Sequence, residues 1–187
     1  MSEATTETDK GGEVAARLAD GRPPATAEEL FDRLDALGIA RTTVEHPPLY
    51  TVAESKALRG SLPGHHVKNL FLRNKKGAMW LVTCLEDREV DLKRLSDALD
   101  GGRFSFGRPE RLMQYLGVRP GAVTPFAVIN DHGGAVAMVL DSALADERPV
   151  NAHPLVNTRT TAVSGRDLLR FLEASGHRPR LLDFDAL

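Results

Sequence analysis

Three segments of the sequence carry residue types whose spacing could support chemistry. In the first, Lys68 and Asn69 open an otherwise apolar run, Leu70-Phe71-Leu72, that is typical of a strand. A lysine ammonium with an amide beside it could bind a phosphate or an ester carbonyl. A strand that begins with a solvent-facing lysine would explain the same residues, so both interpretations stay open.

The second segment is Gly121-Ala122-Val123-Thr124-Pro125, in which a glycine and a proline stand four residues apart. Such a segment can fix a turn whose backbone N–H groups point outward, where they could donate to an anion or an oxyanion. An ordinary loop stiffened by proline is the alternative interpretation.

The third segment spans residues 151–158 and contains His153 and one proline, Pro154, together with polar residues, without a helical or strand period. This pattern is typical of a loop. The residues alone do not distinguish a solvent loop from one that lines a binding site.

Conventional catalytic and cofactor motifs are weak or missing in the sequence. His65 and His66 are neighbours whose side chains diverge on an extended chain, and the further ligands of common zinc sites do not accompany them. Cys84 stands among apolar residues, and we expect a buried core thiol there. The Walker loop, the GxGxxG fingerprint and the Gly-x-Ser-x-Gly elbow do not occur. The sequence therefore predicts no metal and no nucleotide cofactor.

Charge is unevenly distributed along the chain. The whole chain has a net charge of −2, yet residues 55–85 contain six basic residues and no acid. The basic residues are Lys56, Arg59, Lys68, Arg73, Lys75 and Lys76. A solvated hairpin face is one interpretation of this basic segment, and a local phosphate-binding surface is the other.

Length and composition are those of one globular domain, with 187 residues of which 42% are hydrophobic and 27% charged. Residues 1–24 lack apolar periodicity and predict a mobile tail, which leaves residues 25–187 for the domain. The first residues do not resemble a signal peptide, and no apolar run is long enough to span a bilayer. With a single cysteine in the chain, we expect a cytoplasmic protein.

Helix and strand signals alternate along the first part of the chain. A capping box at residues 26–29 predicts a helix that ends at Gly38, and residues 41–46 alternate like a strand. A second capping box at residues 51–54 predicts a short helix up to Gly60.

Hairpins dominate the prediction for the middle of the chain. Residues 67–73 and 78–85 are typical of one hairpin, and residues 126–130 and 135–140 are typical of a second.

Further helices are predicted after Asp91, from Pro109 and after Ser164, with strands at residues 160–163 and 180–182. We therefore expect a single α/β domain with a curled, mixed and largely antiparallel sheet surrounded by helices.

Together these segments resemble the family of YbaK and prolyl-tRNA-synthetase-associated editing domains, and most closely its free-standing ProX-type branch. The matching residues are His46-Pro47-Pro48, Thr51-Val52, Leu62-Pro63-Gly64, Lys68-Asn69-Leu70-Phe71-Leu72, Gly117-Val118, residues 121–126 and His153-Pro154-Leu155-Val156-Asn157-Thr158. The resemblance runs from about residue 26 to the C-terminus. It implies a mixed α/β fold on a curled sheet, action in trans because the chain is too short for a synthetase, and no cofactor.

The resemblance also implies roles for individual residues in hydrolysing the ester of a wrongly charged tRNA. Lys68 would contact the phosphate or ribose of the terminal adenosine, and Asn69 would lie beside the ester. Gly121 and Pro125 would mark the family's GxxxP loop, whose backbone holds the ester and the attacking water. The implied substrate-binding residues are His46, Tyr50, Thr51, Ala122, Val123, Thr124 and His153.

The implied substrate is Ala-tRNA(Pro), because a synthetase pocket for proline discriminates against one missing methylene by only about 1–3 kcal/mol. A smaller second pocket would admit alanine and exclude proline. Val67 and Ala152 depart from the family pattern, and Ala152 could reshape the pocket beside His153. The alternatives are Cys-tRNA(Pro) or another small amino acid as substrate, or a tRNA-binding or synthetase-binding module without catalysis.

Overall fold

The computed structural model describes residues 16–48, 57 and 60–187 of the chain. The capping box predicted at residues 51–54, the short helix after it and the predicted pocket residues Tyr50 and Thr51 lie outside these residues. Within the described part of the chain, no helix is both long enough and apolar enough to cross a membrane.

Eight strands of the described residues form one sheet. Their bounds are β1 Thr42–Glu45, β2 His65–Arg73, β3 Met79–Leu85, β4 Ser105–Phe106, β5 Val136–Asp141, β6 Pro149–Ala152, β7 Arg159–Ser164 and β8 Arg180–Leu182. The strand order is β1-β7-β6-β2-β3-β5-β8, and β4 pairs with β2 outside this path. Four pairings are antiparallel and three are parallel, so the predicted mixed sheet is confirmed.

Helices connect the strands, and their starts agree with the predicted caps. The helices are α1 Ala27–Ala36, α2 Leu92–Ala98, α3 Pro109–Leu116 and α4 Gly165–Ala174, with 3-10 helices at Pro125–Asn130, Ser142–Leu144 and Phe184–Ala186. The capping box of α1 forms through Thr26 and Glu29, and α2 and α4 begin after the capping side chains of Asp91 and Ser164. Caps are predictable because they need only residues within one turn.

The second predicted hairpin is wrong. Residues Pro125–Asn130 form a 3-10 helix, and β5 pairs in parallel with β3. Pro125 has no N–H to donate to a sheet and suits the first turn of a helix. The Thr124 hydroxyl caps this turn by accepting from the N–H of Phe126 at 3.4 Å, and Phe126 is fully buried.

A hydrophobic core lies on each face of β2 and β3. Phe71 and Leu81 belong to the larger core, which also contains apolar side chains of α1, α3 and α4. Leu72 and Val82 belong to the smaller core, to which α2 contributes Leu95. Because both faces are covered, the alternation along β2 is fixed, and successive residues lie on opposite faces.

Residues 16–24, which lie within the segment predicted as a tail, pack against the domain in the structure. Leu18 is buried, and the N–H of Ala19 donates to the carbonyl of Gln114 at 2.7 Å. The packed part of the chain therefore begins ahead of residue 25.

Candidate functional site

Lys68 and Asn69 lie next to each other in β2, but their side chains leave the sheet on opposite faces. Lys68 is opposite Cys84 and Asn69 is opposite Thr83 in the antiparallel pair with β3. Residues that are directly opposite in such a pair share a face. The two predicted catalytic side chains therefore do not converge on one point of the sheet.

The Asn69 side chain links β3 to the 121–125 segment. Its Nδ2 donates to the carbonyl of Val123 at 3.0 Å, and its Oδ1 accepts from the hydroxyl of Thr83 at 2.7 Å. The bond to Val123 joins residues 54 positions apart in the chain. Asn69 thus holds the backbone of the segment that the sequence predicts to bind the ester, while its direct contact with a substrate stays a prediction.

Lys68 donates from Nζ to the backbone carbonyl of Arg88. The Arg88 side chain is itself anchored, since its Nε lies 3.0 Å from the fully buried carboxylate of Asp141 and its terminal nitrogens pair with Asp185. An ammonium has three N–H groups, so Lys68 keeps two donors for a ligand. The carbonyl of Arg88 therefore fixes the position of the Lys68 ammonium, which can still donate to a ligand.

The 121–125 segment combines a left-handed glycine with backbone N–H groups that lack an internal acceptor. Gly121 has φ 90°, and the N–H of Ala122 closes a turn on the carbonyl of Arg119 at 3.0 Å. For the N–H groups of Gly121, Val123 and Thr124, the structure shows no acceptor among the described residues. Unpaired backbone N–H groups are the donors that an oxyanion site requires.

His46 and His153 are brought together by the sheet. The N–H of His46 donates to the carbonyl of Thr158 just beyond the pairing of β1 with β7. The centroids of the His46 and His153 rings are 6.1 Å apart, with an angle of 50° between the ring planes. The predicted proximity of these two pocket residues is therefore present in the structure, although they are 107 positions apart in the sequence.

A hydrogen bond defines the tautomer of the His153 imidazole. Nδ1 of His153 lies 2.9 Å from the carbonyl of Arg159, which can only accept, so this nitrogen carries a proton. Burial lowers the pKa of His153, the nearby His46 lowers it further, and the bond to Arg159 opposes the shift. His153 is therefore neutral at pH 7, with Nε2 as an acceptor.

The 151–158 segment meets the 121–125 segment. A Cβ atom added at Gly121 would lie 3.9 Å from Nδ2 of Asn157, so the two segments are within van der Waals range. Leu155 adopts φ 67° while it is almost fully buried. A left-handed leucine needs support from its surroundings, and here the N–H of Leu155 donates to the carbonyl of His153 at 3.0 Å. Ala152 is not in a loop but ends β6.

The residues considered for metal or nucleophilic chemistry have other roles. Nε2 of His65 lies 3.2 Å from Asp146, while Nε2 of His66 bonds to the carbonyl of Leu62. In the described part of the chain, no group of three or more His, Cys, Asp or Glu side chains could hold a metal ion. Cys84 is a buried core thiol, as predicted, and burial raises its pKa to about 11.

Several residues that support the site are not predicted from the sequence. Thr83 is part of an apolar strand, and Arg88 belongs to a charged turn without any motif. Thr160, whose hydroxyl lies 3.0 Å from Nε2 of His46, resembles any strand threonine. The one available signal is that Thr83 is a polar residue in the apolar strand β3, because a buried polar side chain is normally hydrogen-bonded. Thr160 offers no such signal, since β7 is itself rich in polar residues.

A cleft of about 610 Å³ lies where the two segments meet the start of α1. Its walls include Thr26, Arg119, Ala122 and Asn157. Lys68, Asn69 and His153 do not line it. The cleft therefore adjoins the predicted site without containing its polar side chains.

Comparison with protein-family models matches residues 46–171 to the model described as "Aminoacyl-tRNA editing domain". The matched region contains the Lys68-Asn69 pair, the 121–125 segment and His153. It covers about two thirds of the chain.

Two curated relatives are similar over most of their length. A Mus musculus protein described as prolyl-tRNA synthetase associated domain-containing protein 1 is 40% identical over 162 residues, which cover 84% of this chain and 95% of the relative. The prolyl-tRNA editing protein ProX of Acetoanaerobium sticklandii is 38% identical over 151 residues, which cover 80% of this chain and 92% of the relative.

Solved structures share the fold at lower identity. One, described as a proposed trans-editing enzyme for prolyl tRNA synthetase, superposes with a TM-score of 0.63 at 22% identity and covers 84% of this chain and 96% of its own. At this identity the similarity shows the fold alone, and it confirms the single mixed α/β domain.

Proposed function

This chain belongs to the family of aminoacyl-tRNA editing domains, and from that premise we propose that it is a free-standing hydrolase that deacylates wrongly charged tRNA(Pro). The family model covers the candidate site, and a relative of similar length is named as a prolyl-tRNA editing protein. The proposed reaction is hydrolysis of the ester between the amino acid and the terminal ribose of the tRNA. It releases a free amino acid and an uncharged tRNA.

The observation that carries this proposal is the 121–125 segment, which Asn69 holds and whose N–H groups at three positions have no acceptor in the described part of the chain. An aminoacyl ester is already activated, so hydrolysis needs mainly a positioned water and donors for the oxyanion that develops on the carbonyl oxygen. The N–H groups of Gly121, Val123 and Thr124, for which the described residues provide no acceptor, are proposed as such donors. The bond from Asn69 to Val123 limits the movement of this backbone, and fixed donors stabilise an oxyanion better than mobile ones.

Lys68 is proposed to bind the terminal adenosine through its phosphate or ribose, with the two N–H groups that the Arg88 carbonyl leaves available. His153 and His46 are proposed to line the amino-acid pocket, where the neutral His153 presents an acceptor to the ammonium of the amino acid. Tyr50, Thr51, Ala122 and Pro125 complete the proposed pocket and loop.

Alanine is the proposed amino acid. The synthetase cannot exclude alanine efficiently from a pocket that must accept the larger proline. An editing pocket too small for proline would admit alanine and so remove it from the tRNA. Ala152, next to His153 in the sequence, is buried in the larger hydrophobic core at the end of β6, and we propose that its small side chain affects the pocket through this packing. Cysteine and serine are the competing amino acids, and pocket volume distinguishes them. We further propose that the protein acts in the cytoplasm and that prolyl-tRNA synthetase is a partner.

The experiment is hydrolysis of Ala-tRNA(Pro), Cys-tRNA(Pro), Ser-tRNA(Pro) and correctly charged Pro-tRNA(Pro) by the purified chain, without added metal or nucleotide. We expect rapid loss of alanine and stability of the proline ester. Lys68→Ala should reduce the rate by weakening the position of the adenosine. Failure to hydrolyse any of the four esters would contradict the proposal and would favour a binding module without catalysis.

A further inference from the structure

Arginine side chains gather at the end of β2 and the first turns of α3. Arg73, Arg108 and Arg111 line a cleft of about 480 Å³ together with Gln114. One acid, Glu110, is also part of the wall. The cleft therefore has a net positive charge, although the whole chain is weakly acidic.

These arginines differ from most others because they have no carboxylate partner among the described residues. Ion pairs are formed by Arg22, Arg41, Arg88, Arg148, Arg159, Arg166, Arg170 and Arg178. For Arg73, Arg108 and Arg111, the part of the chain that the structure describes provides neither an ion pair nor a hydrogen-bond acceptor. Their guanidinium groups are thus available to an external anion.

The backbone that carries this charge is well fixed. Arg73 is opposite Ser105 of β4, and the next residue, Asn74, is buried. The Asn74 side chain donates to the carbonyl of Gly101 at 2.8 Å and accepts from the N–H of Ala78 at 3.0 Å. The turn after Arg73 is therefore held against the α2–β4 connection.

Lys75 and Lys76 extend the positive surface beyond the cleft. Both are exposed in the turn between β2 and β3, and neither has an ion pair within residues 16–48, 57 and 60–187. With the three arginines of the cleft, these lysines give five cations at the end of β2, in the turn after it and at the start of α3. Several cations suit a chain of phosphates better than a single anion.

We propose that this cleft and its two lysines bind the phosphate backbone of the tRNA acceptor stem. The proposal rests on the proposed function, since it assigns a second binding surface to the same substrate. Arg73 lies four positions beyond Asn69 in β2, which corresponds to about 14 Å along an antiparallel strand, and an even offset places the two side chains on the same face of the sheet. A tRNA whose aminoacyl ester lies at Asn69 and the 121–125 segment therefore needs to extend by only a few nucleotides to reach Arg73. The planar guanidinium of arginine binds phosphate oxygens in a bidentate manner.

The test is binding of an uncharged tRNA(Pro) transcript to the full chain over a range of KCl concentrations. At about 0.1 M salt, the double variant R108Q/R111Q should bind the transcript roughly tenfold more weakly for each phosphate that it no longer neutralises. The slope of log affinity against log salt should become less steep by about 0.9 for each such phosphate. E110Q should bind more tightly, because it removes a negative charge from the wall of the cleft.

Arg178→Gln is the matched control, since it removes one charge from an exposed arginine beside β8, three strand positions from β2. It should bind the transcript like the unchanged chain. Equal affinities of R108Q/R111Q and the unchanged chain, or an equally weakened affinity in R178Q, would overturn the proposal.

A second readout separates this proposal from the proposed function. Hydrolysis of alanyl-adenosine, which lacks the acceptor stem, should be unchanged in R108Q/R111Q. An unchanged chain that binds the transcript through the cleft but hydrolyses no aminoacyl ester would contradict the deacylase and leave the binding surface supported.

Discussion

The Asn69 side chain makes two hydrogen bonds, one to β3 and one to the 121–125 segment. Its amide has donor and acceptor groups, and the structure uses both, toward Val123 and Thr83. Thr83 is fully buried, so its hydroxyl has a defined orientation. Thr83 therefore supports the candidate site indirectly. Its hydroxyl orients the Asn69 side chain, and Asn69 in turn holds the backbone of the 121–125 segment.

Thr83→Val should lower kcat for deacylation by about tenfold to a hundredfold, because a small displacement of catalytic groups has costs of this size. The substitution keeps the shape of the side chain and leaves Oδ1 of Asn69 without its donor. Thr83→Ser keeps the hydroxyl and is the matched control. The measurement is kcat and KM with Ala-tRNA(Pro), after a thermal melt has confirmed folding. Equal kcat values for the two variants would show that the bond to Asn69 does not position the loop.

The turn after β3 and the C-terminal 3-10 helix support the site from the opposite face. Arg88 lies in this turn, and its carbonyl binds Lys68 while its side chain pairs with Asp141 of β5 and Asp185 of the 3-10 helix. Three elements that are distant in sequence thus fix one lysine. Their contribution to the reaction is positional, since none of the three is proposed to touch the substrate.

Asp185→Asn should reduce kcat/KM for Ala-tRNA(Pro) by about twofold to fivefold, mainly through KM, because an exposed carboxylate contributes modestly to an ion pair. Weaker anchoring of Arg88 leaves Lys68 less well placed for the terminal adenosine. Glu147→Gln, which removes an equally exposed carboxylate paired with Arg166, is the control and should leave both constants unchanged. A similar change in the two variants would refute the positioning role.

At the scale of the whole molecule, a buried ion pair joins the end of α4 to the turn before β5. Nε2 of His177 lies 2.9 Å from Asp131, and Nδ1 lies 2.8 Å from the carbonyl of Ser175. A carboxylate and a carbonyl can only accept, so both ring nitrogens carry a proton and His177 is an imidazolium. Burial lowers the pKa of His177, but the bonds to Asp131 and Ser175 and the charge of Asp131 outweigh it and raise the pKa above its usual value.

The raised pKa of His177 predicts how stability depends on pH. Between the usual pKa of about 6.5 and the raised value, the folded state binds more protons than the unfolded chain. The stabilisation from this pair is therefore complete below about pH 6.5 and is lost as the pH rises through the folded-state pKa. The free energy of unfolding should differ most between the unchanged chain and His177→Gln at about pH 6, by about 3 kcal/mol.

Denaturant titrations of the two chains from about pH 5.5 to about pH 9 measure this difference, which should become smaller as the pH rises. A difference that grows with pH would mean that His177 is neutral in the folded chain.

The sequence by itself determined the elements whose signals are local. The caps at Thr26, Asp91 and Ser164 lie within one turn of the helices they start, and the apolar run from Leu70 to Leu72 is followed by its own hairpin turn. The family and its motif residues are likewise visible in short segments. Such signals can be read from the sequence because the interacting residues are close together in the chain.

Only the tertiary structure decided which groups meet. The bond from Asn69 to Val123 joins residues 54 positions apart, and the pair of Arg88 with Asp185 joins residues 97 positions apart. The parallel pairing of β5 with β3 replaced the expected hairpin, because Pro125 favours a helical turn and the connection from β3 to β5 is long enough to cross over. A hydrogen bond between distant segments depends on the packing of the whole chain. The spacing of residues within one segment therefore cannot predict it.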